Sequence, residues 1–484
     1  MLRHSRLIVL GILASVTLFG RIGLPASSWN QAQAQFLEKA GRTAGNVGVQ
    51  VTELPSGRVF WSYRATDTMI PASLLKVATS YAALKTLGPT HRFRTAVWSE
   101  GPLRGDTLPS ALWLRSEGDL FWTLERAMEL ALKLKELGIR SIRGPVLVDN
   151  GYFSPPCERI CLDEACEDSY NPMVSGTALE FNSVAIRVLP SSTVGKPPRM
   201  EWFPPGRFIQ LTNLAKTASR RSKNTLSVRE IETDRSGMMR FQVSGKLPVS
   251  SGMGLERRYA VAEPSVFVAA AFTAALEQTG IQVEERPDGS MGRKAVPAGA
   301  TMLAESISPT LAETVYGLNR HSNNFMAEML LRSTGAVSMG QPGTELKGIV
   351  VMNKVLKDLG AAPGECTLKT GSGLSRECRM SPRTLSMVLV NAYSDRLAGP
   401  PFMESLAVNG QDGTLRKRLS QSSAVVRGKT GTLKDVVGFA GYVSTGPHTP
   451  CAVVIMLNEV HNLPGAKEAV DSFLENVALH VPFR

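Results

Sequence analysis

The feature that most constrains the fold is a change of texture along the chain. Between about residues 97 and 298 the sequence consists of short apolar runs broken by Pro, Gly and Ser: ALWLRSEGD, GPVLVDNGYF, NSVAIRVLP, RFIQLTN and MRFQVSG. Runs of that length and spacing predict strands. Two helices are expected among them, LERAMELALKLKELG ending at Gly138 and PSVFVAAAFTAALEQTG between Pro264 and Gly280. Outside this stretch helical spacing dominates. PASLLKVATSYAALKTLG has Pro71 at its entry and Gly88-Pro89 at its exit, which puts Ser73 in the first turn of a helix. SPTLAETVYGLNRH predicts a helix capped by Ser308, and NNFMAEMLLRSTG a second, with His321-Ser322-Asn323 at their junction. SPRTLSMVLVNAY repeats the Ser-Pro start at Ser381, while VVGFAGYV and CAVVIMLN read as neighbouring buried strands before a last helix, AKEAVDSFLENVALH. The expected architecture is therefore mixed, α/β (α+β). A helix-rich core with C-terminal strands, residues 35–96 and 299–484, is interrupted by a β-rich accessory region at 97–298 that forms one or two domains.

The N-terminus has a different character. MLRHSR is basic, Leu7 to Gly20 is an uncharged apolar run, and Ala32-Gln33-Ala34 offers a small-x-small site before Gln35. This pattern predicts a secretory signal peptide over residues 1–34 and export to the periplasm. The run is shorter than the ~20 residues that span a bilayer, and Arg21 closes it; whether the segment is removed stays open. Export makes the six cysteines readable as disulfide partners, though the pairing cannot be deduced. Cys157, Cys161 and Cys166 lack the paired CysXXCys and the neighbouring His of a zinc site, so no metal is expected. Cys451 reads as a small core residue.

The net charge of +12 is spread along the chain without an aromatic-plus-basic nucleic-acid module, so nucleic acid is not an expected partner. SRRSKN at 219–224 reads as a solvated loop. In an exported protein the basic balance points to an anionic envelope, either wall polymer or membrane surface. The oligomeric state is not readable.

Three short motifs carry the chemistry. Ser73-Leu74-Leu75-Lys76 places a hydroxyl and an amine on one helical face, the geometry of a nucleophile and its base. Burial or a second cation would lower the lysine pKa enough for it to take the proton. Ser322-Asn323-Asn324 offers a hydroxyl to relay a proton and an amide to hold a carbonyl. Lys429-Thr430-Gly431-Thr432, at the expected start of a strand, offers a cation and a hydroxyl for a carboxylate, with Gly431 admitting the substrate to the backbone. The tripeptide occurs twice, since Lys369-Thr370-Gly371 precedes it in a Gly/Ser-rich loop.

In the order SerXXLys, SerXAsn, LysThrGly these motifs form the set found in class A β-lactamases and penicillin-binding proteins. With PASLLKVAT, GPVLVDNGYF, LNRHSNNFMAEMLLR, GSGLSR, LAVNGQDGTLRKR and VVRGKTGTL, the chain resembles the class C low-molecular-mass penicillin-binding proteins. These are the D-alanyl-D-alanine carboxypeptidase/endopeptidases of serine peptidase family S13, similar to penicillin-binding protein 4. The resemblance covers nearly all of the mature chain and includes the long insertion between the first two motifs, which β-lactamases lack.

The resemblance implies a discontinuous β-lactamase/transpeptidase-like domain that acts without cofactor on peptidoglycan stem peptides and is acylated by β-lactams. Ser73 would be the nucleophile, Lys76 its base and Ser322 the proton relay; Asn324 would orient the acyl chain. Lys429 and Thr430 would bind the terminal carboxylate, and the backbone N–H groups of Ser73 and Thr432 would form the oxyanion hole. Arg376, Asp149 and Phe153 are further candidate contacts to the stem peptide. Thr370 stands where the family commonly has Asp. A β-lactamase-like hydrolase or esterase, and a non-catalytic wall-binding scaffold, are the alternative readings.

Overall fold

The computed structural model describes residues 26–162, 166–285, 295–444 and 450–480. The first part of the chain gives helix α1 (Ala26–Gly41), strands β1 (Ala44–Glu53) and β2 (Val59–Tyr63), and helix α2 (Leu75–Leu87). The chain then enters the strand-rich region through β3 (Arg94–Ser99), followed by β4 (Leu112–Ser116), α3 (Leu124–Glu136) and β5 (Val146–Asp149). Further along lie two short strands, β6 (Lys216–Ala218) and β7 (Lys246–Pro248), then helix α4 (Pro264–Gln278). The chain leaves through β8 (Thr301–Ile307), which pairs antiparallel with β3 in one sheet with β4 and β5. Entry and exit thus run side by side as strands of the inserted region itself.

The return begins with α5 (Leu311–His321) and α6 (Asn324–Met339), followed later by α7 (Pro382–Ser394). Helix α5 is capped by Thr310 rather than Ser308. Thr310 accepts from Glu313 N while Glu313 reaches back to Thr310 N, a reciprocal capping box that satisfies two free donors at once. Ser308 instead accepts from Phe93 N at 2.8 Å and ties the helix to the entry of β3. Ser381 does cap α7, accepting from Thr384 N at 3.0 Å.

Strands β9 (Val425–Leu433), β10 (Val436–Ser444) and β11 (Cys451–Val460), then α8 (Leu463–His480), close the fold. They build a six-stranded sheet in the order β2-β1-β11-β10-β9, with Ala407–Val408 at the far edge. The apolar run in β11 is continuous because both faces are covered. Ala452, Val454 and Met456 enter a core shared with α2, α6 and α7, while Val453, Ile455 and Leu457 enter one shared with α1 and α8. The inserted region has its own core, formed by α3, α4 and its strands.

The expected signal peptide lies partly outside the described residues, which begin at 26. Residues 26–34 form the first half of α1, and Trp29 is 9% exposed. Its ring stacks on Phe473 at 6.0 Å and meets Trp61 edge-on at 6.3 Å. A cut before Gln35 would remove those contacts. A chain starting at Gln35 is expected to unfold at lower urea concentration than one starting at Ala26, by about 3 kcal/mol for the lost indole alone. Equal midpoints would show the first half of α1 to be dispensable.

Candidate active site

Ser73 sits in a 3-10 turn, Ala72–Leu74, that runs into α2, so its backbone N–H belongs to the positive end of a helix. Lys76 follows one turn later and is 0% exposed. Its Nζ lies 2.8 Å from Ser73 Oγ, 2.6 Å from Asn324 Oδ1 and 2.8 Å from the Ser372 carbonyl oxygen. Burial, and then the nearby Lys429 cation, push the Lys76 pKa well below its ordinary value, against a smaller opposing pull from Glu328. A neutral amine at 2.8 Å from the hydroxyl can accept its proton.

The junction of α5 and α6 brings the second motif to the same place. Ser322 ends α5 in a left-handed conformation, φ 55°, while Asn323 caps α6 by accepting from Met326 N at 3.0 Å. That turn directs Asn324 back toward Lys76. The other end of its amide is also engaged, since Asn324 Nδ2 donates to the Tyr170 carbonyl at 2.7 Å. Ser322, Asn323 and Asn324 line a cavity of about 570 Å³ with Tyr170, Phe181 and Arg258 of the inserted region.

Strand β9 supplies the third motif, which lies in its second half, near the hairpin to β10, and not at its start. Lys429 is fully buried; its Nζ donates to the Thr430 carbonyl at 2.7 Å, and burial lowers its pKa to about 7. Thr430 Oγ1 donates to Thr414 Oγ1 at 2.9 Å, which adds the GlnAspGlyThr turn to this wall. Gly431 is small for a reason the sequence did not show. A Cβ there would lie 3.1 Å from both the Pro71 carbonyl and Leu74 Cγ, so its absence lets the strand press against the nucleophile's turn. Thr432, the next residue, is exposed on the same strand.

Two lysines in one buried site cannot both keep a full charge cheaply. The larger downward push falls on Lys76, which leaves Lys429 as the better cation. The arrangement therefore offers an activated hydroxyl beside a second, buried lysine.

The structure separates the other candidates from this cluster. Asp149 is 5% exposed and accepts from Gly151 N at 2.7 Å and Val296 N at 3.0 Å, so its carboxylate is occupied in holding the backbone. Phe153 is 2% exposed and packs in the core beside Tyr152 and Gly343. Neither lines the cavity beside Asn324. The structure thus sets both residues of the GPVLVDNGYF segment apart from that cavity. Arg376 pairs with Asp435 of the β9–β10 turn. The earlier tripeptide sends no side chain to the cluster: Lys369 faces solvent 3.4 Å from Glu377, and Thr370 Oγ1 accepts from Gly373 N at 3.1 Å. Among the cysteines of the described residues Cys161 and Cys166 are joined in a disulfide, while Cys366, Cys378 and Cys451 are free thiols.

Two important residues escaped the motif reading. Glu328, one turn beyond Asn324 on α6, is fully buried; it accepts from Gly371 N at 3.1 Å and Ser372 N at 2.8 Å and pairs with Arg332 at 3.1 Å. It thereby holds the turn whose carbonyl faces Lys76. Phe181 reaches the cavity from three successive left-handed residues, Glu180, Phe181 and Asn182, with φ of 47°, 60° and 49°. Each such residue costs roughly 1–2 kcal/mol. The turn is held by Leu124 N donating to Glu180 Oε1 at 2.8 Å and by Asn182 Nδ2 donating to Met173 O at 2.8 Å. Glu328 could have been noticed as an acid in an otherwise apolar helical run; the strain at 180–182 has no sequence signal.

Comparison with known proteins gives a consistent result. The profile of the family described as "D-Ala-D-Ala carboxypeptidase 3 (S13) family" matches residues 30–477. A D-alanyl-D-alanine carboxypeptidase of Actinomadura sp. (strain R39) is 31% identical over 89% of this chain and 81% of its own. The D-alanyl-D-alanine carboxypeptidase DacB of Haemophilus influenzae is 25% identical over 85% of each chain. The crystal structure of penicillin binding protein 4 (dacB) from H. influenzae superposes with a TM-score of 0.75 at 23% identity, covering 93% of this chain and 99% of that one. A second structure of that protein, complexed with a β-lactam, gives a TM-score of 0.72.

The Glu328 contacts lead to a pH prediction. Its charge raises the Lys76 pKa, so Glu328→Gln should lower it further and move the rising limb of the pH profile for Ser73 acylation to lower pH. The weakened hold on residues 371 and 372 should also reduce the limiting rate by roughly tenfold. A limb that stays in place or moves to higher pH would reject the coupling.

Proposed function

The chain belongs to the D-Ala-D-Ala carboxypeptidase (S13) family and is an enzyme of that activity, and from this premise we propose that it works through an acyl-enzyme on Ser73. The observation that carries the proposal is the buried Lys76 amine, 2.8 Å from Ser73 Oγ and 2.6 Å from Asn324. Lys76 takes the Ser73 proton as Oγ attacks the carbonyl of the penultimate D-alanine. The tetrahedral oxyanion forms between the backbone N–H groups of Ser73 and Thr432, donors of a kind worth about 3 kcal/mol each. Ser322, at the mouth of the cavity, relays a proton to the departing amine as the C–N bond breaks. Water then adds to the ester carbonyl, and the peptide leaves as a carboxylate while Ser73 regains its proton.

Lys429 and Thr430 bind the carboxylate of the leaving D-alanine. A carboxylate arriving beside Lys429 stabilises an ammonium that burial had weakened, so the pocket favours substrates that end in a free carboxylate. Asn324 orients the acyl chain, and Phe181 gives that chain an apolar wall. Arg376 can meet a carboxylate of the stem peptide by exchanging its partner Asp435. The same acyl transfer with a cross-linked stem peptide as leaving group gives DD-endopeptidase activity. β-Lactams enter as acylating inhibitors, in keeping with the β-lactam complex of the H. influenzae relative. The basic N-terminal sequence and its apolar run support action in the periplasm.

Labelled penicillin should acylate the wild type and not Ser73→Ala; label surviving that substitution would sink the assignment. The two copies of LysThrGly should differ. Lys429→Ala is expected to lose D-alanine release by orders of magnitude, on the scale of a lost catalytic electrostatic contact, and Lys369→Ala to keep it. Mass analysis of digested cross-linked muropeptides separates the two peptidase activities, since a carboxypeptidase removes one alanine and an endopeptidase halves the dimer.

A further inference from the structure

A surface that catalysis does not use carries its own pattern. Three segments of the inserted region, residues 190–198, 214–226 and 244–254, run side by side. Strands β6 and β7 pair in parallel with Lys216 opposite Lys246. Gly195 N donates to Thr217 O and Thr217 N to Lys196 O, both at 2.8 Å. Ser250 Oγ donates to the Arg220 carbonyl at 2.9 Å, which draws the third segment onto the second.

These segments contain Lys196, Lys216, Arg220, Arg221, Lys223 and Lys246 and no Asp or Glu, half of the chain's net charge of +12. All six cations are exposed, and none is ion-paired among the described residues. Neighbouring strands behave differently, pairing Arg187 with Glu256 at 2.8 Å and Arg240 with Asp234 at 2.9 Å. The lack of acids is thus a property of this end of the region and not of the whole.

The same segments expose apolar side chains. Val194 is 56% exposed, Leu214 57% and Met253 85%, the last being the most exposed large apolar residue among those described. Met253 stands between Gly252 and Gly254 at a turn, where nothing in the fold requires an apolar side chain. Cations alone would fit any polyanion. Protruding apolar side chains set among unpaired cations fit an anionic bilayer, whose headgroups meet the charges while its acyl boundary takes the apolar tips.

We propose that this end of the inserted region docks on a membrane surface rich in anionic lipid. The dock holds the enzyme at the bilayer independently of what Ser73 does.

The test uses the full chain and sedimentation with vesicles, phosphatidylglycerol mixed with phosphatidylcholine against phosphatidylcholine alone. The wild type should sediment with the anionic vesicles and be released by added salt. Lys216→Gln, Arg220→Gln and Lys246→Gln together should weaken binding on the order of a hundredfold. Val194→Ser, Leu214→Ser and Met253→Ser together should weaken it by about tenfold, while leaving binding to soluble polyphosphate unchanged. Both variants should release D-alanine from a soluble peptide at the wild-type rate, which separates lost docking from lost fold or lost chemistry. Each variant is compared with the wild type over the same N-terminus, so the apolar run before residue 26 cancels. Equal sedimentation on the two vesicle types, or variants that bind like the wild type, overturns the proposal. An apolar variant that keeps full vesicle affinity also overturns it, and reassigns the patch to a soluble polyanion.

Discussion

The structure is organised around one buried amine. Lys76 has no access to water, and an ammonium placed there without partners would cost several kcal/mol. Its three neighbours, Ser73, Asn324 and the Ser372 carbonyl, come from segments separated by 248 and 296 residues from the lysine in the latter two cases. Satisfying that one atom therefore requires α2, α6 and the GlySerGly turn to meet at a point. The same burial that demands those partners also favours the uncharged amine, whose lone pair is free to accept a proton. Stability and reactivity thus pull in opposite directions on Lys76: Lys429 favours the neutral form, and Glu328 restrains the shift.

The inserted region takes part in this arrangement. Tyr152, Phe153, Ile160, Val174 and Ala178 lie in the same apolar core as α2 and α6, so the segment after β5 is wedged into the peptidase part of the fold. From there the chain places the Tyr170 carbonyl on Asn324 and Phe181 on the cavity wall. Strained backbone at 180–182 persists because its polar atoms have fixed partners on both sides.

How much of this was legible depended on whether the signal was local. The helix entering at Pro71, the Ser381 cap, the strands of the last sheet and the order of the three motifs follow from periodicity and short-range chemistry. The cap at Thr310 was locally written too, but Ser308-Pro309 competed with it in the sequence; the capping box won because it satisfies two donors. The surroundings of Asp149 and Phe153, beside Val296 and Gly343, come from tertiary packing, which residue type does not show. Glu328 depends on backbone partners 43 and 44 residues away, and the turn at 180–182 on backbone strain, neither of which has a sequence pattern.

The two LysThrGly tripeptides show why spelling alone could not assign the chemistry. Both glycines solve the same packing problem: a Cβ at Gly371 would lie 2.5 Å from the Ala327 carbonyl, as one at Gly431 would crowd Pro71 and Leu74. In each case the missing side chain lets a turn or strand close onto a helix. The lysines differ in environment. Lys369 stays half exposed beside Glu377, where water screens its charge and the pair contributes little. Lys429 is buried in its strand, where its Nζ donates to the Thr430 carbonyl and burial lowers its pKa to about 7, so its charge is weakly held until an anion arrives. A cation that gains most of its stabilisation from the ligand is a selective receptor for it; a cation already solvated has little left to gain. Desolvation, set by position in the sheet, is what distinguishes a binding lysine from a surface one with the same two neighbours in sequence.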